Sequence, residues 1–209
     1  MSYVLTALAA YLLGSLPTGY LVARAKGVDI RTVGSRNMGA TNVFRTVGKA
    51  LGILVLLADA AKGWAAVALV APWIGHAVSP GAALGWLPVV AGVGAILGHN
   101  YTCWLQFKGG KGIATSAGVF IALVPWALLV ALGVWIVLFA ATRYVSVASI
   151  AAAAVLPVAT WFSTHDVGLT AVAGVLGAMA IYKHKKNIER LRAGTENRIE
   201  FGSQKGGAA

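Results

Sequence analysis

Residues 113–142 form a run of thirty without one charged side chain. As a single straight α-helix, that run would be about 45 Å long, against a bilayer hydrocarbon core of about 30 Å. Further apolar runs occupy 3–23, 51–98 and 145–182. Hydrophobic residues make up 58% of the 209, charged residues only 11%, and the mean hydropathy is +0.77. A soluble domain of this size carries about a quarter charged residues. These features define an all-α integral membrane protein with several crossings. The first run lacks the charged start and cleavage site of a signal peptide and reads as a retained span.

The net charge of +11 is distributed as membrane topology requires. Lys and Arg cluster at 24–49, at 108–111, at Arg143 and from Lys183 onward, and only Lys62 falls elsewhere. With basic residues on the cytoplasmic side, each interval between clusters holds an even number of crossings. Two spans fit 51–98, turning around Pro72–Gly85, and two fit 145–182, turning at "STHD" (163–166). Residues 113–142 are read as two short helices breaking near Pro125; one long helix would put the basic C-terminal segment outside. With a first span at 3–23 the expectation is seven transmembrane helices, N-terminus outside and C-terminus cytoplasmic. Trp73, Trp86, Trp126 and Trp161 then lie near the outer ends, where aromatic belts are expected.

Residues 1–200 read as one membrane-embedded domain and 201–209 as a flexible tail. Basic residues confined between apolar runs speak against nucleic acid and leave membrane lipid or an anionic substrate as partner. Cys103, the only cysteine, excludes an internal disulfide. His99 has no second His or Cys at a ligand spacing, so no metal and no cofactor is indicated. His76 and His165 fall in outer turns without an assigned role.

Three polar segments share the cytoplasmic face, with short interfacial loop or helix elements. In "GSRNMGATNVFR" (34–45), Ser35, Asn37, Thr41 and Asn42 offer hydrogen bonds. Thr41 or Asn42 is placed to cap a helix whose first turn carries Arg45, a pairing suited to phosphate. In "GHNYTCWLQFKGGKGIAT" (98–115), the glycines with Lys108 and Lys111 form either a flexible turn or an anion nest. The spacing is not that of a Walker A loop, because Gly112 follows Lys111. "HKKNIERLRAGTE" (184–196) has Ile188 and Leu191 on one face, as in a short interfacial helix, with His184, Asn187 and Arg190 available for chemistry. Within the second span, Asp59 and Lys62 stand one helical turn apart and read as a buried ion pair; Pro17 is expected to kink the first span.

These segments, in this order and spacing, closely resemble the PlsY family of bacterial acyl-phosphate:glycerol-3-phosphate acyltransferases. "GSLPTGY" (14–20) and "DAAKG" (59–63) share the resemblance, which covers about 3–196. The resemblance implies seven transmembrane helices in the bacterial inner membrane and an active site facing the cytoplasm. It implies transfer of a fatty acyl group from acyl phosphate to the 1-hydroxyl of glycerol 3-phosphate, giving lysophosphatidic acid and phosphate in phospholipid synthesis. Neither acyl-CoA nor acyl carrier protein is the implied donor; no histidine here has the Asp five positions on that marks the classical acyltransferases.

Carried across, Gly109, Gly110, Lys111 and Gly112 would hold the phosphate of acyl phosphate. Ser35, Arg45 and Lys111 would bind the phosphate of glycerol 3-phosphate, with His184 and Asn187 on the glycerol. Asn37, Thr41, Asn42, Lys108 and Thr115 are weaker candidates. The chain departs from the family at Thr102, where proline is frequent, and at Arg36, where glycine or another small residue is. Because acyl phosphate is already activated, direct attack by the substrate hydroxyl is expected, without an acyl-enzyme. His184, Lys111, Ser35 and Arg45 are the catalytic candidates, and the base is His184 or a substrate phosphate. An anion transporter or a lipid-binding scaffold is the alternative. A transporter favours repeated broken helices and a midplane site, neither of which the sequence displays.

Overall fold

The computed structural model describes residues 1–83 and 85–199, and among them every regular element is helical. The tail expected over 201–209 lies outside the described residues. The first rod consists of α1 (Ser2–Ser15) and α2 (Thr18–Arg24), interrupted at Leu16–Pro17. Proline has no N–H, so the break frees backbone groups that the membrane interior cannot hydrate. The Leu16 carbonyl accepts from Thr18 N at 3.0 Å and from Lys62 Nζ at 2.8 Å.

A short helix α3 (Ala40–Thr46) follows the first polar loop. The second rod runs through α4 (Lys49–Ala65), a π-turn (Ala66–Val70) and α5 (Ala71–Val78). The turn expected from Pro72 begins only at Ser79. The wider π-turn just before Pro72 absorbs its missing N–H, so the helix continues. Then come α6 (Leu87–Asn100), α7 (Ile113–Leu123) and α8 (Pro125–Thr142), the last two broken at Val124 as expected. The remaining helices are α9 (Val145–Thr164), α10 (Val167–Lys183) and α11 (Lys185–Arg192). Asp166 caps α10 by accepting from Leu169 N at 2.9 Å.

By length and apolarity four rods among the described residues can cross a bilayer: Ser2–Arg24, Lys49–Val78, Pro125–Thr142 and Val145–Thr164; α10 with α11, bent by 53°, makes a fifth if the bent pair counts as one span. The charge count of seven differs by α6 and α7, which at 14 and 11 residues are short against the roughly 20 of a full crossing. Outward-facing Leu57, Trp73, Trp126, Val137, Phe162 and Val175 are exposed, as suits a hydrocarbon solvent.

Helix packing relies on close backbone approach through small residues. A methyl on Gly98 of α6 would sit 2.1 Å from the Tyr11 carbonyl of α1, and one on Gly118 of α7 would sit 1.8 Å from the Ala60 carbonyl of α4. Val67, Ile96, Val119, Phe120, Leu156 and Leu176 fill the largest buried apolar cluster. Gly118→Ala is expected to lower thermal stability in detergent by about 1–3 kcal/mol. Gly133→Ala, where a methyl meets nothing within 4 Å, is expected to be neutral or slightly stabilising. Equal melting of both variants would contradict the packing account.

Candidate active site

The first polar loop is organised from within by one amide. Buried Asn42 accepts from Ser35 N at 2.9 Å through Oδ1, and its Nδ2 donates to the carbonyls of Ile30, Val33 and Asn37. This corrects the capping expectation: α3 begins at Ala40 with Gly39 at its N-cap, and Thr41 and Asn42 lie inside it. Asn42 turns back to the loop, and Asn37 Oδ1 accepts from Gly39 N at 2.9 Å. Arg45 accordingly stands in the last turn of α3. Ser35 is exposed on this loop, its backbone held by Asn42. Arg36 has φ +57, a conformation glycine adopts without strain.

The glycine loop is built against the end of α6. Gly109 N donates to Asn100 O at 3.2 Å and Gly110 N to His99 O at 3.0 Å. Those two amides are therefore committed, and the nest narrows to Lys111, Gly112 and the N-terminus of α7. Gly112 is the N-cap of α7 with φ +83, and Thr115 is buried in the first turn. Thr102 Oγ1 donates to Ser15 O at 2.6 Å, a tether that proline at this position would lack. Lys108 is exposed.

The third segment brings the others together. Lys111 Nζ donates to Asn187 Oδ1 at 2.5 Å, and Asn187 Nδ2 donates to Glu196 Oε1 at 2.7 Å. Glu196 also accepts from Arg190 Nε at 2.6 Å and Ser146 Oγ at 2.9 Å. Arg45 Nη2 donates to Asn197 O at 3.0 Å, while its buried Nε has no acceptor among the described residues. Lys183 Nζ donates to Asn100 O at 2.8 Å, tying the end of α10 to the glycine loop. Glu196 and Ser146 were not singled out by the sequence. The available signal was an isolated acid at the end of a basic segment, two residues after Gly194, whose φ of +69 turns the chain back.

The electrostatics favour an anion. Lys111, Arg45 and Arg190 act on one another against the single Glu196 carboxylate. Burial pushes Lys111 down to about 8, opposed by Glu196 and reinforced by Arg190 and Arg45. Burial works to raise the Glu196 carboxyl, but hydrogen bonds from Asn187, Arg190 and Ser146 outweigh it and hold it below its ordinary value. At the end of α10, His184 is buried and its Nδ1 lies 2.7 Å from the Ala180 carbonyl. A carbonyl only accepts, so Nδ1 carries the hydrogen and Nε2 keeps its lone pair in the neutral ring. Burial, with the Lys111 charge beside it, holds His184 down at about 4.

The family described as glycerol-3-phosphate acyltransferase matches residues 4–194. A glycerol-3-phosphate acyltransferase of Synechococcus sp. (strain JA-3-3Ab) is 48% identical over 202 residues, covering 95% of this chain and 94% of that one. The Geobacter sulfurreducens protein of the same name is 49% identical over 197 residues, covering 94% and 97%. Crystal structures of PlsY, an integral membrane glycerol 3-phosphate acyltransferase, superimpose well in two forms. The glycerol 3-phosphate form has a TM-score of 0.85 at 39% identity, and the lysophosphatidic acid form 0.82 at 38%; each match covers 96% of both chains.

The Lys111 amine is expected to take up an amine-directed label with a pH midpoint near 8, against about 10.4 for a free lysine. Glu196→Gln removes the one charge that favours the ammonium form and is expected to move the midpoint lower. A midpoint unchanged or raised in that variant would contradict the charge account.

Proposed function

The chain belongs to the PlsY family of integral membrane glycerol-3-phosphate acyltransferases, and on that premise we propose the donor, the geometry and the roles of its residues. The donor is acyl phosphate and the acceptor the 1-hydroxyl of glycerol 3-phosphate. Seven helices cross the bacterial inner membrane, with the N-terminus outside and the polar segments facing the cytoplasm; α6 and α7 are short crossings. The observation that carries the reading is the meeting of Arg45, Lys111, His184 and Asn187 from three separate segments around a cationic centre, with a buried Arg45 Nε left unpartnered among the described residues.

In this reading Ser35, Arg45 and Lys111 hold the phosphate of glycerol 3-phosphate. Lys111, Gly112 and the N-terminus of α7 face the acyl phosphate, with Gly109 and Gly110 shaping the loop. Asn37 and Asn42 hold the first loop in place, and Lys108, Thr41 and Thr115 stay the weaker candidates. The substrate hydroxyl oxygen attacks the acyl carbonyl carbon, the C–O bond to phosphate breaks, and phosphate leaves with the electron pair. The cations stabilise the carbonyl oxyanion and the departing phosphate while the site holds the reactants together. His184 Nε2 and the free lone pair of Asn187 Oδ1 accept hydrogen bonds from the glycerol. A histidine held near 4 is a weaker base than a phosphate dianion with its pKa of about 6. The proton therefore passes to a substrate phosphate and His184 orients the hydroxyl. No acyl-enzyme is formed.

Purified protein in detergent is expected to convert acyl phosphate and glycerol 3-phosphate to lysophosphatidic acid and equimolar phosphate, and to be inactive with acyl-CoA. Absence of both products would sink the reading. Lys111→Ala and Arg45→Ala are each expected to cut kcat/KM by about 10²–10³-fold. Lys111 must be protonated to bind phosphate, so kcat/KM for glycerol 3-phosphate is expected to fall as pH rises through about 8; a flat profile to pH 9.5 would remove Lys111 from phosphate binding. His184→Ala is expected to lower kcat without abolishing the dependence on substrate phosphate ionisation near pH 6; loss of that limb would make His184 the base.

A further inference from the structure

Outside the site just described, a second set of charged groups is buried within the helix bundle. The Asp59 carboxylate on α4 accepts from Lys62 Nζ at 2.8 Å and from the Thr18 hydroxyl in a short contact, and it lies 3.5 Å from His99 Nδ1, an electrostatic contact and not a hydrogen bond. Lys62 Nζ also donates to the Leu16 carbonyl left free where the helix is interrupted. Burying such a pair carries a desolvation cost that apolar packing of similar shape avoids. Orienting two helices would not by itself require it.

The additional feature is what lies on the other side of His99. Its carbonyl accepts from Gly110 N, and its Nε2 stands where a side chain on Gly110 would begin, 2.0 Å from that Cβ position. A methyl on Gly109 would sit 2.0 Å from the His99 carbonyl. The glycine loop is thus moulded on His99, and Lys111 is the next residue. The start of the same loop is held at the same break in the first rod: Thr102 Oγ1 donates to Ser15 O, and the Tyr11 hydroxyl donates to Tyr101 O at 2.7 Å. Both ends of segment 101–112 therefore refer back to the Ser15–Thr18 break, one directly and one through Asp59 and His99.

We propose that Asp59 is a positioning residue: with Lys62 it fixes the imidazole of His99 against Gly110, and the proline break in the first rod thereby sets where Lys111 stands. The consequence for turnover rests on the reading of Lys111 as a phosphate ligand; the coupling itself does not.

The test compares the double variant Asp59→Asn/Lys62→Met, which removes both buried charges together, with His99→Gln, which leaves the ion pair and the loop sequence intact. Lys111 labelling at pH 8 is measured by peptide mass spectrometry in substrate-free protein, beside thermal melting and elution volume. Both variants are expected to label Lys111 faster than wild type. Both are expected to lose about 10–100-fold in kcat/KM, mostly as a higher KM for glycerol 3-phosphate. Wild-type labelling in a folded double variant would show that the pair only orients helices and would overturn the proposal. Should the double variant fail to fold, His99→Gln decides: unchanged labelling there overturns the coupling. Faster labelling in a chain whose wild type transfers no acyl group would leave the coupling standing and remove the acyltransferase reading.

Discussion

The Glu196 carboxylate joins four parts of the chain that are distant in sequence. It accepts from Ser146 on α9 and from Asn187 and Arg190 on α11, and Asn187 passes the connection to Lys111 on the glycine loop. The adjoining Asn197 carbonyl receives Arg45. The segment after α11 is further pinned by Arg198 stacked over Tyr144 and by Ile199 N donating to Arg143 O. Among the described residues one acid stands with three cations, which suits an anion site: it opposes their mutual repulsion without neutralising them. Removal of that carboxylate would leave Arg190 Nε and Asn187 Nδ2 without their acceptor and the three like charges facing one another without its opposing field.

The bilayer imposes the complementary constraint. Polar groups within hydrocarbon must find partners inside the protein, and here those partners are reused as anchors. Lys62 takes the Leu16 carbonyl left free where the helix is interrupted, and Thr102 takes that of Ser15. Gly109 and Gly110 lend their amides to the end of α6 rather than to an anion. The glycines there serve close approach, which leaves Lys111 and the start of α7 as the groups proposed to face the anion. The short helices α6 and α7 place that loop where cationic side chains from α3, α10 and α11 can reach it.

The helical class, the break at Pro125, the Asp59–Lys62 pair and the bent helix after His184 were legible because each follows from a local rule of hydropathy, proline geometry or charge. The turn after α5 was expected to start too early because a π-turn, which hydropathy does not reveal, lets Pro72 remain inside the helix. The cap of α3 was misread because Asn42 bonds backward to four loop groups, a choice made by tertiary packing. The family resemblance singled out Lys111, Arg45, His184 and Asn187, and the structure brings them together. It did not single out Glu196, whose role depends on a chain reversal at Gly194 and on Ser146 from another helix.

Direct transfer from acyl phosphate is the central claim, and phosphate release with and without the acceptor, read together with the bond that breaks, tests it most directly. Acyl phosphate carrying ¹⁸O at its bridging oxygen would be turned over with glycerol 3-phosphate, and separately without acceptor. The account predicts that all bridging label appears in the released phosphate, and that without glycerol 3-phosphate there is no burst of phosphate equivalent to the enzyme. A stoichiometric burst of phosphate without acceptor, marking an acyl-enzyme, would contradict it, as would label left on a released fatty carboxylate, marking cleavage at phosphorus.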